Sequence, residues 1–230
     1  MKQKYFVAGT DTDAGKTLIS AALLYKAKAA GMTTVGLKPV AAGCEETPDG
    51  LRNDDALKLI EQSTEKLPYE QVNPIAFARP IAPHIAGQLL QRPLSAGRIV
   101  GLLRGVLMIN RAQFSLVEGA GGYRVPLNPK ETLADVSKEL KLPVILVVGM
   151  KLGCLNHALL TVESIQRDGL KLAGWVANRI DGDMDVYEEN VETLHAMIQA
   201  PCLGEVPFLS DPTAEQAAEY VSLPEVASPA

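Results

Sequence analysis

The sequence has few cysteines and no long apolar run, and these absences exclude several classes of protein. Its three cysteines, Cys44, Cys154 and Cys202, lie far apart and outside any CxxC spacing. They give no indication of a disulfide framework or a zinc-binding motif. No apolar stretch approaches the roughly 18 residues of a membrane-spanning helix, and the N-terminus lacks the apolar core and cleavage site of a signal peptide. We therefore expect a cytoplasmic protein.

Clustered positive charge is also absent. The chain of 230 residues has a formal net charge of −5 and contains no basic run. Nucleic acid and anionic membranes are therefore not expected as partners, because both attract proteins through clustered lysines and arginines. A phosphate site in such a protein has to rely on backbone N–H groups and a few local lysines.

Short apolar segments alternate with amphipathic ones along the chain. The pattern predicts strands at 5–8, 33–37, 114–117, 143–148, 173–177 and 203–206, and helices at 16–30, 54–62, 95–110, 132–140, 156–168, 186–198 and 214–220. It predicts a loop over 43–55 and, because of four prolines, no regular element over 67–83. The strands are continuously apolar, which indicates burial on both faces. We therefore predict one doubly wound α/β domain over residues 1–230, with a mostly parallel sheet and helices on both faces.

A glycine-rich segment joins the first predicted strand to the first predicted helix. Residues 9–17 read GTDTDAGKT, one residue longer than the strict GxxxxGK[ST] pattern. In such a loop, N–H groups bind phosphate oxygens, the lysine (Lys16) reaches the β- and γ-phosphates, and the hydroxyl (Thr17) ligates Mg²⁺. The alternative is an ordinary helix start with Thr12 or Asp13 as its cap. The strand, glycines and helix together favour a P-loop nucleoside triphosphate hydrolase fold.

Charged residues near the predicted strand ends are further candidates. Lys38 and Glu118 follow strands, so both are expected at the edge of a parallel sheet where ligands bind. Lys38 would stabilise a transferring phosphoryl group, and Glu118, which precedes a run of glycines, would hold a metal ion. Asp54 and Asp55 begin a helix, which favours a cap over a Mg²⁺ ligand. For Lys38 and Glu118 the alternative is an ordinary exposed charge.

The remaining polar candidates leave their alternatives open. Asn178 and Arg179 end a predicted strand, where they would either contact a nucleotide or begin a loop. Residues 153–156 open a helix whose N–H groups suit an anion. The three histidines show no metal-like spacing, and no Ser-His-Asp arrangement is indicated by position.

Taken together, these segments resemble the dethiobiotin synthetase family of the biotin pathway. The resemblance runs from about Tyr5 to Leu209 and is carried, in order, by GTDTDAGKT, KPVAAG, TPDGLRNDDAL, VEGAGG, GCLNHALL, WVANRI and GEVPFL. It implies a homodimeric ligase that uses ATP, Mg²⁺ and CO₂ to convert 7,8-diaminopelargonic acid to dethiobiotin. The implied intermediates are a carbamate and a carbamic–phosphoric anhydride, and the implied by-products are ADP and phosphate.

The resemblance also implies roles for individual residues. Lys38, Lys16 and Thr12 are implied as catalytic, and Thr17, Asp55 and Glu118 as magnesium ligands, which reverses the preference for Asp55 as a cap. The implied nucleotide contacts are Asp13, Ala14, Gly15, Lys16, Thr17, Asp55, Glu118, Gly119, Ala120, Gly121, Asn178, Arg179, Pro207, Phe208 and Leu209. The implied substrate contacts are Thr12, Lys38, Ala42, Leu155 and Asn156, the last two from a partner subunit. Ala42 and Cys44 stand where serine is familiar in this family.

Two rival interpretations are less compatible with the sequence. A corrin-ring amidase of the same deviant P-loop group normally carries a further glutaminase domain, for which 230 residues leave no room. A partition-type ATPase uses a second lysine early in the loop, where this chain has Asp11 or Thr12. The alternative that we keep is a paralogue or another P-loop ATPase, such as a partition-type switch, with a different substrate or partner.

Overall fold

The computed structural model of the chain describes residues 2–225. In chain order, the strands are β1 (Gln3–Gly9), β2 (Thr34–Leu37), β3 (Val40–Ala42), β4 (Glu45–Thr47), β5 (Gly50–Arg52), β6 (Ile75–Phe77), β7 (Phe114–Gly122), β8 (Val144–Met150), β9 (Leu172–Arg179) and β10 (Cys202–Val206). The helices are α1 (Lys16–Ala29), α2 (Asp54–Glu61), α3 (Tyr69–Val72), α4 (Pro83–Leu89), α5 (Ala96–Ile109), α6 (Leu133–Leu140), α7 (Cys154–Arg167), α8 (Tyr187–Met197) and α9 (Ala214–Ala218). Among these residues, no helix is both long enough and apolar enough to cross a membrane.

The centre of the molecule is a six-stranded sheet with the order β10-β9-β8-β1-β7-β2. Every neighbouring pair in this sheet is parallel, so each connection crosses over the sheet, and each contains at least one helix. The strand β8 is buried at each of its residues, which explains its continuously apolar sequence. The prediction of a doubly wound α/β fold is therefore confirmed.

Helices cover both faces of the sheet because successive strand residues point in opposite directions. Phe6 and Ala8 of β1 belong to a core that includes residues of α5, α6, α7 and α8. Tyr5 and Val7 belong to a second core, formed with α1 and α9. With all six strands parallel, their carboxyl ends gather at one edge, where the phosphate loop lies between β1 and α1.

The structure differs from the sequence-based prediction in two proline- and glycine-rich segments. Residues 43–55 contain the antiparallel pair β4 and β5, and residues 67–83 contain α3, β6 and the start of α4. Pro83 is compatible with α4 because it lies in the first turn, where its missing N–H is not needed. The strand β6 pairs in parallel with β3. These short elements depend on tertiary partners, which a local sequence pattern does not reveal.

Two element boundaries also differ in ways that concern the candidate site. The strand β7 extends to Gly122, so Glu118 lies inside the strand and not after it. Helix α7 begins at Cys154, two residues before its predicted start. Because its first turn contains Leu155 and Asn156, both residues lie at the N-terminal end of a helix.

Candidate active site

The segment between β1 and α1 has the backbone of a phosphate-binding loop. Asp13 and Gly15 both have positive φ angles, 58° and 85°, and Gly15 is the N-cap of α1. A Cβ atom on Gly15 would collide with the amide of Asn178, whose Nδ2 donates to the carbonyl of Ala14 at 3.0 Å. The loop therefore requires glycine at this position, and the start of α1 supplies N–H groups that suit an anion.

A buried lysine lies between two carboxylates beside this loop. The Nζ atom of Lys38 is 2.7 Å from Oε1 of Glu118 and 2.8 Å from Oδ2 of Asp55. The hydroxyl of Thr17 donates to the same Glu118 oxygen at 2.8 Å. The side chains of Lys38 and Glu118 are 5% and 0% exposed, whereas that of Asp55 is 39% exposed. The cluster thus joins β2, β7, α1 and α2 at one point.

The carboxylates set the charge state of Lys38. Burial alone would lower the pKa of the Lys38 ammonium, but attraction to Glu118 and Asp55 outweighs burial and raises that pKa. Burial alone would raise the pKa of Asp55, but Lys38 outweighs burial and lowers it. The pKa of Lys16 is lowered by burial and further by the charge of Lys38. Lys38 and Asp55 are therefore ionised together at neutral pH.

The oxygen atoms of this cluster fit a magnesium ion. Within residues 2–225, Oε2 of Glu118 is buried and has no hydrogen-bond partner. A buried carboxylate oxygen without a partner is costly, and a cation would relieve that cost. Thr17, Asp55 and Glu118 together offer a hydroxyl and two carboxylates, which are ligands that Mg²⁺ prefers beside phosphates.

Asn53, and neither aspartate, caps helix α2. Its side-chain oxygen accepts from the N–H of Ala56 at 3.3 Å. The first sequence-based preference, which treated Asp54 or Asp55 as the cap, is therefore wrong. The cap position is already filled, which leaves the Asp55 side chain free to pair with Lys38.

A cleft of about 870 Å³ opens above the loop and the charge cluster. It brings together the predicted residues Thr12, Asp13, Gly15, Lys16, Thr17, Lys38, Ala42, Asp55, Glu118, Ala120 and Gly121. Ala14 is buried beneath the loop, and the carbonyl of Gly119 accepts from Lys38 at 3.3 Å. Residues 80–83 form a wall that sequence reasoning missed, because their prolines indicated only an irregular segment.

The other predicted nucleotide contacts lie outside the walls of this cleft. Asn178 is buried behind the loop. The guanidinium of Arg179 stacks on Tyr187 at 4.7 Å from the ring centroid and donates to Gly182 at 3.0 Å. Residues 207–209 follow β10, and Phe208 is 53% exposed. Phe208 lies against Gly182, so Arg179 and Phe208 meet the same turn.

The predicted substrate residues Leu155 and Asn156 do not line the cleft of their own subunit. They lie in the first turn of α7, whose N-cap Gly153 provides no side-chain hydrogen bond. Asn156 is exposed, and the preceding Leu152 is 96% exposed. Both residues therefore lie apart from the other predicted substrate contacts, which line the cleft.

Sequence reasoning also missed two residues that support the site, one through a backbone contact and one through a side-chain contact. Asn73 donates through Nδ2 to the carbonyl of Lys38 at 2.6 Å, although it lies in the proline-rich segment without a local signal. Lys151 Nζ contacts Asp11 of the loop at 2.9 Å, and this hydrogen bond lowers the pKa of Asp11. Lys151 directly follows β8, so the strand-end rule that indicated Lys38 could have found it.

Comparison with known sequences identifies close relatives over nearly the whole chain. A family model described as an AAA domain matches residues 3–216. The ATP-dependent dethiobiotin synthetase BioD of Cellvibrio japonicus (strain Ueda107) is 58% identical over 222 residues, which cover 96% of each chain. A protein of the same name from Pseudomonas aeruginosa is 53% identical over 219 residues, covering 95% of this chain and 96% of the relative.

Comparison with solved structures shows the same fold in more distant proteins. A ParA family ATPase from Chlorobium tepidum has a TM-score of 0.57 and 11% identity, over 92% of this chain and 87% of the other. The septum site-determining protein MinD of Pyrococcus horikoshii, complexed with Mg-ADP, has a TM-score of 0.52 and 15% identity, over 89% of this chain and 82% of the other. At these identities the likeness shows the fold alone.

Proposed function

Since the chain belongs to the family of ATP-dependent dethiobiotin synthetases, we propose that it closes the ureido ring of dethiobiotin on 7,8-diaminopelargonic acid with CO₂. It is an ATP-dependent ligase. The observation that carries the proposed chemistry is the meeting of a phosphate loop and a lysine–carboxylate cluster in one cleft. We expect the enzyme to act in the cytoplasm, as biosynthetic enzymes of this kind do.

The first step of the proposed reaction forms a carbamate. One substrate amine attacks CO₂, a C–N bond forms as one C–O π bond breaks, and the nitrogen releases a proton to solvent. The product is an anion, which Lys38 and Lys16 are placed to stabilise from the cleft. Thr12 also lines this cleft, and we assign its hydroxyl a polar contact with the substrate. Asp55 is the more exposed partner of Lys38, so its bond to the ammonium is the one that a substrate anion replaces most readily.

The second step transfers the γ-phosphoryl group. A carbamate oxygen attacks the γ-phosphorus, the bond to the ADP oxygen breaks, and a carbamic–phosphoric anhydride forms. The N–H groups of the loop and the ammonium of Lys16 hold the phosphates in line. A magnesium ion held by Thr17, Asp55 and Glu118 would neutralise phosphate charge when bound.

The third step closes the ring. The second amine attacks the anhydride carbonyl, the C–O bond breaks, and phosphate departs with the oxygen that came from the carbamate. The attacking nitrogen loses a proton. Phosphorylation is needed because phosphate is a far better leaving group than the oxide that an unmodified carbamate would have to expel.

The remaining contacts are assigned to the nucleotide base and to a second subunit. We assign Asn178, Arg179 and the segment 207–209 to contacts with the base of ATP, because they lie on the opposite side of the phosphate loop from Lys38. We assign the N–H groups at the start of α7, with Leu155 and Asn156, to the substrate carboxylate in a homodimer. The exposed, uncapped end of this helix supports that assignment.

The fate of one oxygen atom tests the proposed sequence of steps. The enzyme is mixed with diamine, Mg·ATP and ¹⁸O-labelled bicarbonate. The reaction is stopped before the label in bicarbonate exchanges with water, and the mass of the released phosphate is then measured. The proposal expects one labelled oxygen in each phosphate released. Unlabelled phosphate would contradict the anhydride, and phosphate release without any need for diamine would indicate a paralogue with another substrate.

A further inference from the structure

A relay of hydrogen bonds connects the segment of Lys38 to the segment of Asp55. The hydroxyl of Tyr69 accepts from the N–H of Asn53 at 2.7 Å and donates to Oδ1 of Asn73 at 3.0 Å. Asn73 in turn donates from Nδ2 to the carbonyl of Lys38 at 2.6 Å. The N–H of Lys38 donates to the carbonyl of Val72 at 2.9 Å. Helix α3 and the residue after it therefore hold both backbone groups of Lys38.

The other end of the relay reaches the helix that carries Asp55. Asn53 is the N-cap of α2, and its own side chain bonds within that helix. Asn53 and Asn73 are both buried, where a lost hydrogen bond leaves an unsatisfied polar group. The guanidinium of Arg52 covers the Tyr69 ring at 4.1 Å from its centroid, which holds the ring in place.

We propose that Tyr69 is a positioning residue for the ligase reaction. It touches no atom of the charge cluster, but its hydroxyl joins the backbone of Lys38 to the cap of the helix that bears Asp55. It thereby fixes the direction from which the Lys38 ammonium meets Asp55 and the substrate. The proposal rests on the catalytic role proposed for Lys38.

The test compares Tyr69→Phe with Tyr123→Phe as a matched control. The Tyr123 hydroxyl also makes a hydrogen bond in a mostly buried setting, to Asp168 at 2.9 Å, without joining this relay. We expect Tyr69→Phe to lower kcat at least about tenfold, in line with one lost buried hydrogen bond, while KM for ATP changes less than about twofold. Tyr123→Phe should lower stability without this loss of kcat. Equal kcat values in the two variants would overturn the proposal.

Hydrogen exchange separates this proposal from the proposed function. In Tyr69→Phe, the amide of Asn53 loses its acceptor, so we expect its exchange to accelerate relative to the wild type and to Tyr123→Phe. Unchanged exchange at Asn53 would overturn the relay even if kcat fell. If the wild type turns over no diamine but exchange at Asn53 still accelerates in Tyr69→Phe, the relay is supported and only the proposed substrate is contradicted.

A different observation carries a second inference, at the outer surface between α8 and β10. One donor atom from each of His195, Cys202 and Glu205 lies within 4.8 Å of the others, and Nε2 of His195 is 2.9 Å from Oε1 of Glu205. The imidazole packs edge-on against the buried Trp175, with ring centroids 5.1 Å apart. Cys202 and Glu205 both belong to β10, and His195 belongs to α8.

We infer that this cluster binds one zinc-type ion, with water in a fourth position. Imidazole, thiolate and carboxylate are the ligands that Zn²⁺ takes in tetrahedral sites. On binding, the Cys202 thiol releases its proton to solvent and gives up its hydrogen bond to the carbonyl of Gly204. The hydrogen bond between His195 and Glu205 is replaced by two bonds to the metal. None of the three residues lines the cleft, so this site is separate from the magnesium ligands proposed above.

Titration with Co²⁺ tests the zinc-type site, because a thiolate ligand produces a charge-transfer absorption that oxygen ligands do not. We expect the wild type to develop this band with one ion per chain, and Zn²⁺ to displace it. Cys202→Ser should abolish the band, and His195→Gln should weaken binding at least about tenfold, because the loss of even an outer-shell partner of a metal ligand typically costs about 10–100-fold. Cys154→Ser, at a buried cysteine outside the cluster, should bind normally. A wild type without the band, or a band that survives in Cys202→Ser, would overturn the inference.

Discussion

The charge cluster leads to a quantitative prediction for Lys38→Met, a change that keeps the length of the side chain and removes its charge. In the native protein Lys38 lies 2.7 Å from Glu118, whose side chain is fully buried. The variant leaves that carboxylate with the hydroxyl of Thr17 as its one remaining hydrogen-bond partner among the described residues. Removal of one member of a buried ion pair costs about 3–5 kcal/mol. We expect the free energy of unfolding to fall by that amount at pH 8.

The reasoning predicts that a second substitution restores stability. In Lys38→Met/Glu118→Gln no charge is buried without a partner, so most of the loss should disappear. Urea unfolding of the wild type, both single variants and the double variant gives the coupling energy of the pair, which we expect to approach about 3 kcal/mol. The reasoning is refuted if Lys38→Met loses less than about 1 kcal/mol, the range of an exposed pair, or if the double variant is no more stable than Lys38→Met.

Three further predictions concern the loop and the cluster. Lys16→Ala should abolish ATP-dependent phosphate release while the urea midpoint stays close to that of the wild type, and unchanged release would remove Lys16 from the mechanism. Gly15→Ala should weaken nucleotide binding at least about tenfold, the effect of about 1–3 kcal/mol of backbone strain, because its Cβ meets Asn178. Gly31→Ala is also at positive φ, but a Cβ atom there meets no other atom within 4 Å, so this variant should lose only stability. Equal nucleotide affinities in the two variants would contradict the predicted clash of a Cβ atom at position 15 with Asn178. The folded-state pKa of Asp55 is lowered, so its stabilising contribution is complete above the unfolded value of about 3.9 and is lost as pH falls through the folded value. As the pH is lowered, the free energy of unfolding should therefore fall less in Asp55→Asn than in the wild type, and identical curves for the two proteins would refute this.

The strands of the main sheet could be predicted from the sequence because the apolar pattern that indicates each strand lies within the strand itself. Each strand of a two-sided parallel sheet has to be apolar throughout, and Pro143 to Val148 meets that requirement without help from distant residues. The phosphate loop was predictable for the same reason, since strand, glycines and helix follow one another directly. Residues 67–83 were not predictable, because α3 has 4 residues and β6 has 3, and both depend on partners elsewhere in the chain.

The charge cluster shows where local reasoning stops. Lys38 and Glu118 were indicated by their predicted places directly after apolar strands, but their contact depends on β2 and β7 being neighbours in the sheet. Asp55 looked like a helix cap because the sequence does not show that Asn53 fills that position. Tyr69 and Asn73 had no signal at all, since a hydrogen bond between distant segments leaves no periodic pattern.

The central claim is that ATP turnover in this cleft is coupled to closure of a ureido ring on a diamine. The most direct test measures phosphate release from Mg·ATP in bicarbonate buffer, with and without 7,8-diaminopelargonate, and identifies the organic product by mass. The account predicts that release requires the diamine and that dethiobiotin forms in equal amount. Nucleotide binding without a diamine-dependent increase in phosphate release, and without dethiobiotin, would contradict it.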